Sequence, residues 1–428
     1  MSALRERESM KTKVLIGLVA IAALLGLKAR AQTYDTNDDF VQTFAGSGFS
    51  GDIDGVGQST MFNYPAMITA DSSGNLFVLD GGNLLIRKIA PDGTVSTFAG
   101  GGTGSLPGYG TNISLTGYIS SSGAGAMVID RFNTLLITKM VNTPALLMIR
   151  SNGYVTTTNL NGIQQTSGLC VDSANNIYYS SGIFGANKIY RWRANGVVEV
   201  FAGSGNTGST DGNGVFSSFY NPTALACDSA DNVYVWDSYG SKIRRIDQNQ
   251  NVTTIAGNGN SYSLDGTGLN TSFVNISSMC VDNMGNIFMA CGSCIRKIDA
   301  QTNVVTMAGS FTQNSYTNGA GNLARFNGAN GVCLSGGTIY VADSSNQRIR
   351  SISNNPAPQI VSGANLGIGT FAGVTINGVV GRTYQIQSSP NMATWTTRAM
   401  LLLNASPYLW IDQNPLSGNK FYRAILLP

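Results

Sequence analysis

Three aspartates lie in similar glycine-rich segments, where they could bind a cation. Asp54, Asp211 and Asp265 are each followed by glycine, with a second glycine two residues further on. Carboxylate and carbonyl oxygens suit a hard cation such as calcium. The pattern also fits an aspartate that caps its own turn while glycine supplies a positive φ. No second carboxylate has the spacing of an EF-hand loop, so we favour the turn. We therefore predict no cofactor, with calcium as the alternative.

The chain contains no histidine, which excludes several kinds of active site. Neither a Ser-His-Asp triad nor a histidine-bearing zinc site can form. Acid–base chemistry by carboxylates, tyrosine or lysine stays open. We therefore predict a binding protein, with a cation-dependent hydrolase or lactonase as the alternative.

A repeated unit positions these residues. The string Phe-Ala-Gly, or a close variant, begins at Phe44, Phe98, Phe201, Ile255 and Met307. The interval between Phe98 and Phe201 spans two units, because the copy near Thr156 has diverged. Within each unit a second signature, such as 71–80, places an Asp-containing turn before a β-branched and aromatic strand. Four strands joined by tight turns and repeated about every 50 residues predict an all-β, six-bladed β-propeller.

The two ends of the repeat array complement each other. The last unit stops at Ile352 without its outer strand, and the chain begins with an orphan strand at 41–46. We predict that this N-terminal strand completes the sixth blade, because closing the ring removes open sheet edges.

The repeat resembles the NHL family. The resemblance rests on FAG, Asp-Gly-x-Gly, Asp-x-x-Gly-Asn-Leu-Phe-Val-x-Asp and Ile-Arg-Lys-Ile, and it covers residues 40–353. It implies a scaffold of the kind that binds protein, RNA or glycan, although the family also includes a few enzymes. Its histidine-dependent zinc lyase is excluded here.

Paired charges recur inside the units. Asp80, Asp237 and Asp343 end second strands, and Arg87, Arg244 and Arg350 follow on third strands. A catalytic residue would occur once in a ring, so repetition predicts structural ion pairs within blades.

Long loops between the blades emerge on the same side as the turns between second and third strands. We predict ligand binding on this long-loop face, because recognition usually occurs on loops held by a rigid scaffold. Tyr109, Tyr239 and Tyr262 are the predicted aromatic contacts, together with the three loop aspartates. Phenylalanines at equivalent positions of the repeat are assigned to the core, namely Phe62, Phe219, Phe273 and Phe326.

The six cysteines fall into two groups. Cys291 and Cys294 flank a short turn between strands, where a disulfide or two free thiols are both expected ahead of redox catalysis. The other four are predicted as small buried residues of the innermost strands, too far apart for disulfides: Cys170, Cys227, Cys280 and Cys333.

The N-terminus predicts export. Lys11 and Lys13 precede an apolar run, Val14–Leu27, and a small-residue cleavage pattern ends at Ala31, so residues 1–31 resemble a signal peptide, with an uncleaved anchor as the alternative. They carry six of the 26 basic and two of the 23 acidic residues, leaving 20 basic and 21 acidic ones and a net charge of −1. We therefore predict a monomer in the periplasm, on the cell surface or outside the cell, without nucleic-acid partners or a later transmembrane segment. Its partner would be a protein or a polysaccharide.

The repeat is lost after a proline-containing linker, residues 354–358. Residues 359–428 alternate like strands and are similar to immunoglobulin- or fibronectin-like β-sandwich modules that are appended to exported bacterial proteins. Tyr384 and Trp395 are assigned to the core of this module.

Overall fold

The computed structural model describes residues 39–119, 125–139, 145–159, 167–182, 186–354, 359–362, 373–377, 379, 382–391, 393–403, 408–411 and 421–427. The predicted signal peptide and residues 355–358 of the predicted linker lie outside this part of the chain.

Six antiparallel sheets make up the main body, and β1 (Asp39–Ala45) precedes them. Sheet 1 contains β2 (Gly55–Val56), β3 (Pro65–Ala70), β4 (Leu76–Asp80), β5 (Leu85–Ile89) and β6 (Thr94–Ala99). Sheet 2 contains β7 (Gly108–Tyr109), β8 (Met127–Ile129), β9 (Leu135–Lys139), β10 (Ala145–Ile149) and β11 (Tyr154–Asn159). Sheet 3 contains β12 (Leu169–Val171), β13 (Ile177–Ser181), β14 (Lys188–Trp192) and β15 (Val198–Ala202).

The second half follows the same plan. Sheet 4 contains β16 (Gly212–Asn213), β17 (Pro222–Cys227), β18 (Val233–Asp237), β19 (Lys242–Ile246) and β20 (Asn251–Ala256). Sheet 5 contains β21 (Gly266–Thr267), β22 (Ser278–Val281), β23 (Ile287–Ala290), β24 (Cys294–Ile298) and β25 (Asn303–Gly309). Sheet 6 contains β26 (Gly319–Ala320), β27 (Ala329–Ser335), β28 (Thr338–Asp343) and β29 (Arg348–Asn354), and β1 joins it. Single 3-10 turns lie at Gly57–Ser59, Gly81–Asn83, Gly110–Asn112, Gly214–Phe216, Gly268–Asn270 and Ser344–Asn346.

The first long strand of each sheet is the innermost one. These strands contact each other in the order β3, β8, β12, β17, β22 and β27, and β27 returns to β3. The sheets therefore form a closed ring around a central channel.

The N-terminal strand closes the ring as predicted. β1 pairs antiparallel with β29, from Asp39 opposite Asn354 to Ala45 opposite Ile349. Val41 and Ala45 are fully buried in this position. The pairing confirms that β1, the first strand in the described part of the chain, completes sheet 6.

The sequence prediction of four strands per sheet is incomplete. In five of the six sheets a fifth, two-residue strand from the long loop pairs with the outermost long strand, as Gly55 and Val56 pair with Val95 and Thr94. Such short pieces have no alternating pattern by which the sequence could reveal them.

In five of the six sheets, the turn after the innermost strand depends on one carboxylate, whereas sheet 6 has Gly336 and Gly337 there. In sheet 1, Asp71 accepts hydrogen bonds from the N–H groups of Ser73 and Asn75 at 2.9 and 2.8 Å, while Gly74 has a φ of +84°. This is an Asx-type turn, which explains the recurring Asp and the Gly or Asn that follows it. Equivalent carboxylates belong to Asp130, Asp172, Asp228 and Asp282.

Six further strands lie beyond the ring: β30 (Gln359–Ser362), β31 (Gly373–Asn377), β32 (Thr383–Ser389), β33 (Thr396–Leu402), β34 (Tyr408–Ile411) and β35 (Phe421–Leu426). They form two three-stranded antiparallel sheets, with the orders β30-β31-β34 and β33-β32-β35. Tyr384 is fully buried in their shared apolar cluster, as predicted. The core assignment of Trp395 is wrong, because its ring is only partly buried and lies 4.2 Å from the Arg423 guanidinium.

Candidate functional site

A buried arginine organises the interior of four sheets. Arg244 donates to Asp237 at 3.0 Å, to the carbonyl oxygen of Ser218 at 3.1 Å and to Asp211 at 2.8 Å, and it lies over the ring of Phe219. The Asp–Arg pairing within single sheets is therefore confirmed. The fully buried arginines at this position are Arg87, Arg244, Arg296 and Arg350, and Leu147 and Tyr190 occupy it in sheets 2 and 3.

The three loop aspartates bind these arginines. Asp54 lies 2.6 Å from Arg87, and Asp265 lies 2.9 Å from Arg296, in the same way as Asp211 contacts Arg244. Each also accepts a hydrogen bond from a backbone N–H of the outermost long strand, at Thr97, Thr254 or Thr306. The three carboxylates thus lie in three different sheets and do not converge. Within the described ranges, no cluster of three or more Cys, Asp or Glu could hold a metal ion.

Burial changes the protonation of the inner carboxylates. It raises the pKa of Asp80 from 3.8 to about 6, although hydrogen bonds from Asn63 and Asn83 and the charge of Arg87 oppose the rise. The folded chain therefore binds this proton more tightly than the unfolded chain does. The contribution of Asp80 to stability is smallest above about pH 6 and grows as the pH falls towards about 4.

An Asp80→Asn variant tests this linkage. A pKa difference of about two units corresponds to about 3 kcal/mol. Between about pH 7 and about pH 4, we expect the free energy of unfolding of the wild type to increase by about that amount relative to the variant, measured by urea denaturation. Asp92→Asn is the control, because the hydrogen bond from Thr94 lowers the pKa of Asp92. Relative to this variant, the free energy of unfolding of the wild type should decrease on acidification. A free energy of unfolding of the wild type that falls relative to Asp80→Asn on acidification would contradict the prediction.

A cleft of about 630 Å³ opens where the innermost strands begin, at the mouth of the central channel. Both the turn between β18 and β19 and the long loop before β22 contribute to it. The described residues that line this mouth cleft include no Asp, Glu, Lys or Arg. Its polar side chains are hydroxyls and amides, namely Ser167, Thr223, Ser238, Tyr239, Ser241, Ser261, Asn275, Ser277 and Asn330.

Tyr239 is the exposed aromatic residue of the mouth cleft. Its ring is 55% exposed and packs edge-on against Tyr220 at 5.1 Å. Its turn is held because the Ser238 hydroxyl donates to the carbonyl oxygen of Asn221 at 2.7 Å. Asn221 has a φ of +59°, a conformation that asparagine tolerates better than most residues. The ring is therefore exposed to solvent and lies on a turn that hydrogen bonds stabilise.

The other two predicted tyrosines lie elsewhere. Tyr109 belongs to the outer edge of sheet 2, where its ring packs against Tyr154 at 4.9 Å. Tyr262 is exposed on its loop beside Asn260 and does not line the mouth cleft, although its neighbour Ser261 does. The structure therefore brings one of the three predicted tyrosines to the cleft.

Sequence reasoning missed the serines and asparagines of the mouth cleft. Each resembles an ordinary turn residue, and they meet only because the ring brings several sheets together. The structure shows one repeated feature there. The backbone is left-handed directly before three innermost strands, at Tyr64, Asn221 and Gly328, and at Asn275, three residues before β22 begins.

A smaller cavity of about 240 Å³ lies deeper in the channel. It is lined by the innermost strands, and its described lining is also uncharged. The sulfur-containing side chains there are Met67, Met127, Met279, Cys170, Cys227, Cys280 and Cys333.

Cys291 and Cys294 are buried free thiols in this structure. The N–H of Cys291 donates to the carbonyl oxygen of Cys294 at 2.9 Å, so the two residues flank a tight hairpin turn. A hydrogen bond with Cys291, together with burial, raises the pKa of the Cys294 thiol. A disulfide between them stays a prediction.

Comparison with known proteins agrees with this geometry. The NHL repeat family model matches residues 326–350, which reach from the loop before β27 into β29. The ring of sheets is an NHL-like β-propeller. No helix in the described part of the chain combines the length and apolar character needed to cross a membrane.

Solved structures share the fold of this NHL-like β-propeller. An auxiliary nutrient binding protein from Bacteroides thetaiotaomicron is 17% identical, with a TM-score of 0.57 over 74% of this chain and 76% of that one. Another from Bacteroides ovatus is 14% identical, with a TM-score of 0.56 over 74% and 77%. A Bacteroides thetaiotaomicron protein of unknown function is 19% identical, with a TM-score of 0.57 over 74% and 76%. Comparison with curated proteins finds no match.

Proposed function

We propose that this chain is an exported binding scaffold, in which a six-bladed NHL-type propeller recognises a protein or polysaccharide through its long-loop face. Among these ligands we favour a neutral polysaccharide. The observation that carries this choice is the uncharged mouth cleft with the half-exposed ring of Tyr239.

The chemistry of the cleft suits a neutral sugar. Hydroxyl and amide side chains can both donate to and accept from sugar hydroxyls. An aromatic ring held in place covers the apolar face of a sugar with little loss of conformational freedom. An anionic ligand such as a uronate would lose its hydration in this cleft without gaining a positive partner. The cleft volume falls within the range of small-molecule sites.

The rest of the chain fits the same role. Residues 1–31 would direct export, and the monomeric ring would display its loops in the periplasm, at the cell surface or outside the cell. Residues 359–428 would form a β-sandwich that spaces or attaches the ring. Two of the similar solved structures are auxiliary nutrient binding proteins, a role in line with this proposal.

The alternative, a cation-dependent hydrolase or lactonase, needs carboxylates that converge on the channel. The described lining of both channel cavities carries none. The loop aspartates bind arginines instead. We propose that the function requires neither calcium nor another cofactor.

Titration calorimetry of the purified chain with neutral oligosaccharides of glucose, mannose, galactose or xylose tests the proposal. We expect binding by at least one of them, weakened at least about tenfold in Tyr239→Ala because ring stacking is lost. Tyr109→Ala is the matched control, since it removes an equally exposed tyrosine from the outer edge, and it should bind like the wild type. Preference for uronate oligosaccharides, or equal loss in both variants, would overturn the proposal.

A further inference from the structure

Sheets 3 and 4 touch through their innermost strands, and the cysteines of these strands, for which no disulfide was predicted, are free thiols in the structure. A Cβ atom on Gly168 would collide with the carbonyl oxygen of Thr223 in β17. The hydroxyl of Ser180 donates to that same oxygen at 2.9 Å. The two backbones are therefore in contact at this end of β12.

Hydrogen bonds join the same two strands at their other end. The N–H and the hydroxyl of Ser173, which follow β12, donate to the two carboxylate oxygens of Asp231, each at 2.7 Å. Asp231 lies in the turn that follows β17. The segment between these contacts is short and held at both ends.

Cys170 and Cys227 lie between the two contacts. Cys170 is two residues before its turn aspartate, Asp172, whereas Cys227 is one residue before Asp228. Side chains alternate along a strand, so this offset places the two thiols on opposite strand faces and lets them face each other. Both pack in one apolar cluster with Leu225, and both line the deeper channel cavity.

The other two channel cysteines are not arranged in this way. Cys280 packs in the cluster between sheets 5 and 6, and Cys333 packs in the cluster between sheets 6 and 1. They face different junctions, which makes them natural controls.

We propose that Cys170 and Cys227 are a modification site, at which exchange with a disulfide oxidant forms an inter-sheet disulfide. The bond would join sheet 3, which lacks the buried arginine, to sheet 4, which has it. Export into an oxidising compartment would supply such an oxidant, but the test below does not depend on export.

The disulfide forms by two successive thiol–disulfide exchange reactions. Cys227 is the more exposed thiol, and its thiolate attacks one sulfur of the oxidant, which releases the first reduced thiol and leaves a mixed disulfide. The Cys170 thiolate then attacks the Cys227 sulfur and releases the second thiol. Burial, the hydrogen bond with Cys170 and the charges of Asp172 and Asp231 raise the pKa of Cys227, so we expect slow exchange that is faster in alkali.

Peptide mapping tests the proposal. The purified chain is incubated with oxidised glutathione at mildly alkaline pH, and its remaining thiols are then alkylated without reduction. The protein is cleaved with trypsin, and the peptide masses are measured by mass spectrometry. Cleavage at Lys188, Arg191 and Arg193 places the two cysteines on different peptides. We expect a linked peptide pair that has lost two hydrogen atoms, present in most molecules, absent from Cys170→Ser and retained in Cys333→Ser.

Thermal unfolding gives a second readout. Oxidised wild type and oxidised Cys333→Ser should unfold about 5 °C above their reduced forms, whereas Cys170→Ser should show no such shift. Recovery of Cys170 and Cys227 as alkylated thiols, or as separate glutathione adducts, would overturn the proposal.

Discussion

Deletion of residues 40–46 is expected to abolish cooperative folding of the ring. The deletion removes nearly all of β1, and with it the partner of β29 along most of its length. It also removes the buried side chains of Phe40, Val41 and Ala45, whose burial contributes roughly 5 kcal/mol. The exposed edge of β29 would then pair with other chains. Size-exclusion chromatography and circular dichroism melting should show aggregation and the loss of a sharp transition.

Removal of residues 1–31 is the control for this deletion, and it should leave the melting transition unchanged. Val41→Asp offers a milder version, because it places a charge at a fully buried position of β1. A deletion variant that stays monomeric and melts like the control would contradict the closure of the ring by β1.

Replacement of a buried arginine should have the next largest effect. Arg244→Met leaves Asp237 buried without its charged partner and frees the carbonyl oxygen of Ser218. Breaking a buried ion pair from one side typically costs about 3 to 5 kcal/mol. We expect a loss of that size in the free energy of unfolding, measured by guanidinium denaturation.

The neighbouring residue provides the matched control. Arg245 lies next along β19, is only partly buried and makes a hydrogen bond to the side chain of Asn232 at 2.8 Å. Arg245→Met should therefore cost about 1 kcal/mol. Equal losses in the two variants would contradict a larger contribution from the buried Arg244 guanidinium than from that of Arg245.

The backbone of the fold was predictable because its signals are local and repeated. Asp71 and its equivalents mark turns by a hydrogen bond that spans only a few residues. The recurrence of Asp80 with Arg87 predicted their ion pair correctly, since both lie on adjacent strands of one hairpin.

Contacts between distant segments were not predictable in the same way. Asp54 was assigned to a turn, with a cation site as the alternative, because nothing near it in sequence shows that Arg87 reaches it. The mouth cleft draws Ser241, Asn275 and Asn330 from three sheets, and no pattern in any single repeat brings them together. Likewise, the packing of Cys170 and Cys227 in one cluster depends on how sheets 3 and 4 are oriented relative to each other, which strand periodicity does not determine.

The pairing of β1 with β29 also sets the order in which the molecule can mature. The two strands are separated by almost the whole ring, so this pairing is among the most non-local contacts in the chain, and such contacts form slowly. During synthesis, β1 must wait unpaired until Arg348–Asn354 has been made. In the export that we propose, the chain would cross the membrane before β1 pairs with β29, and the ring would close only after translocation.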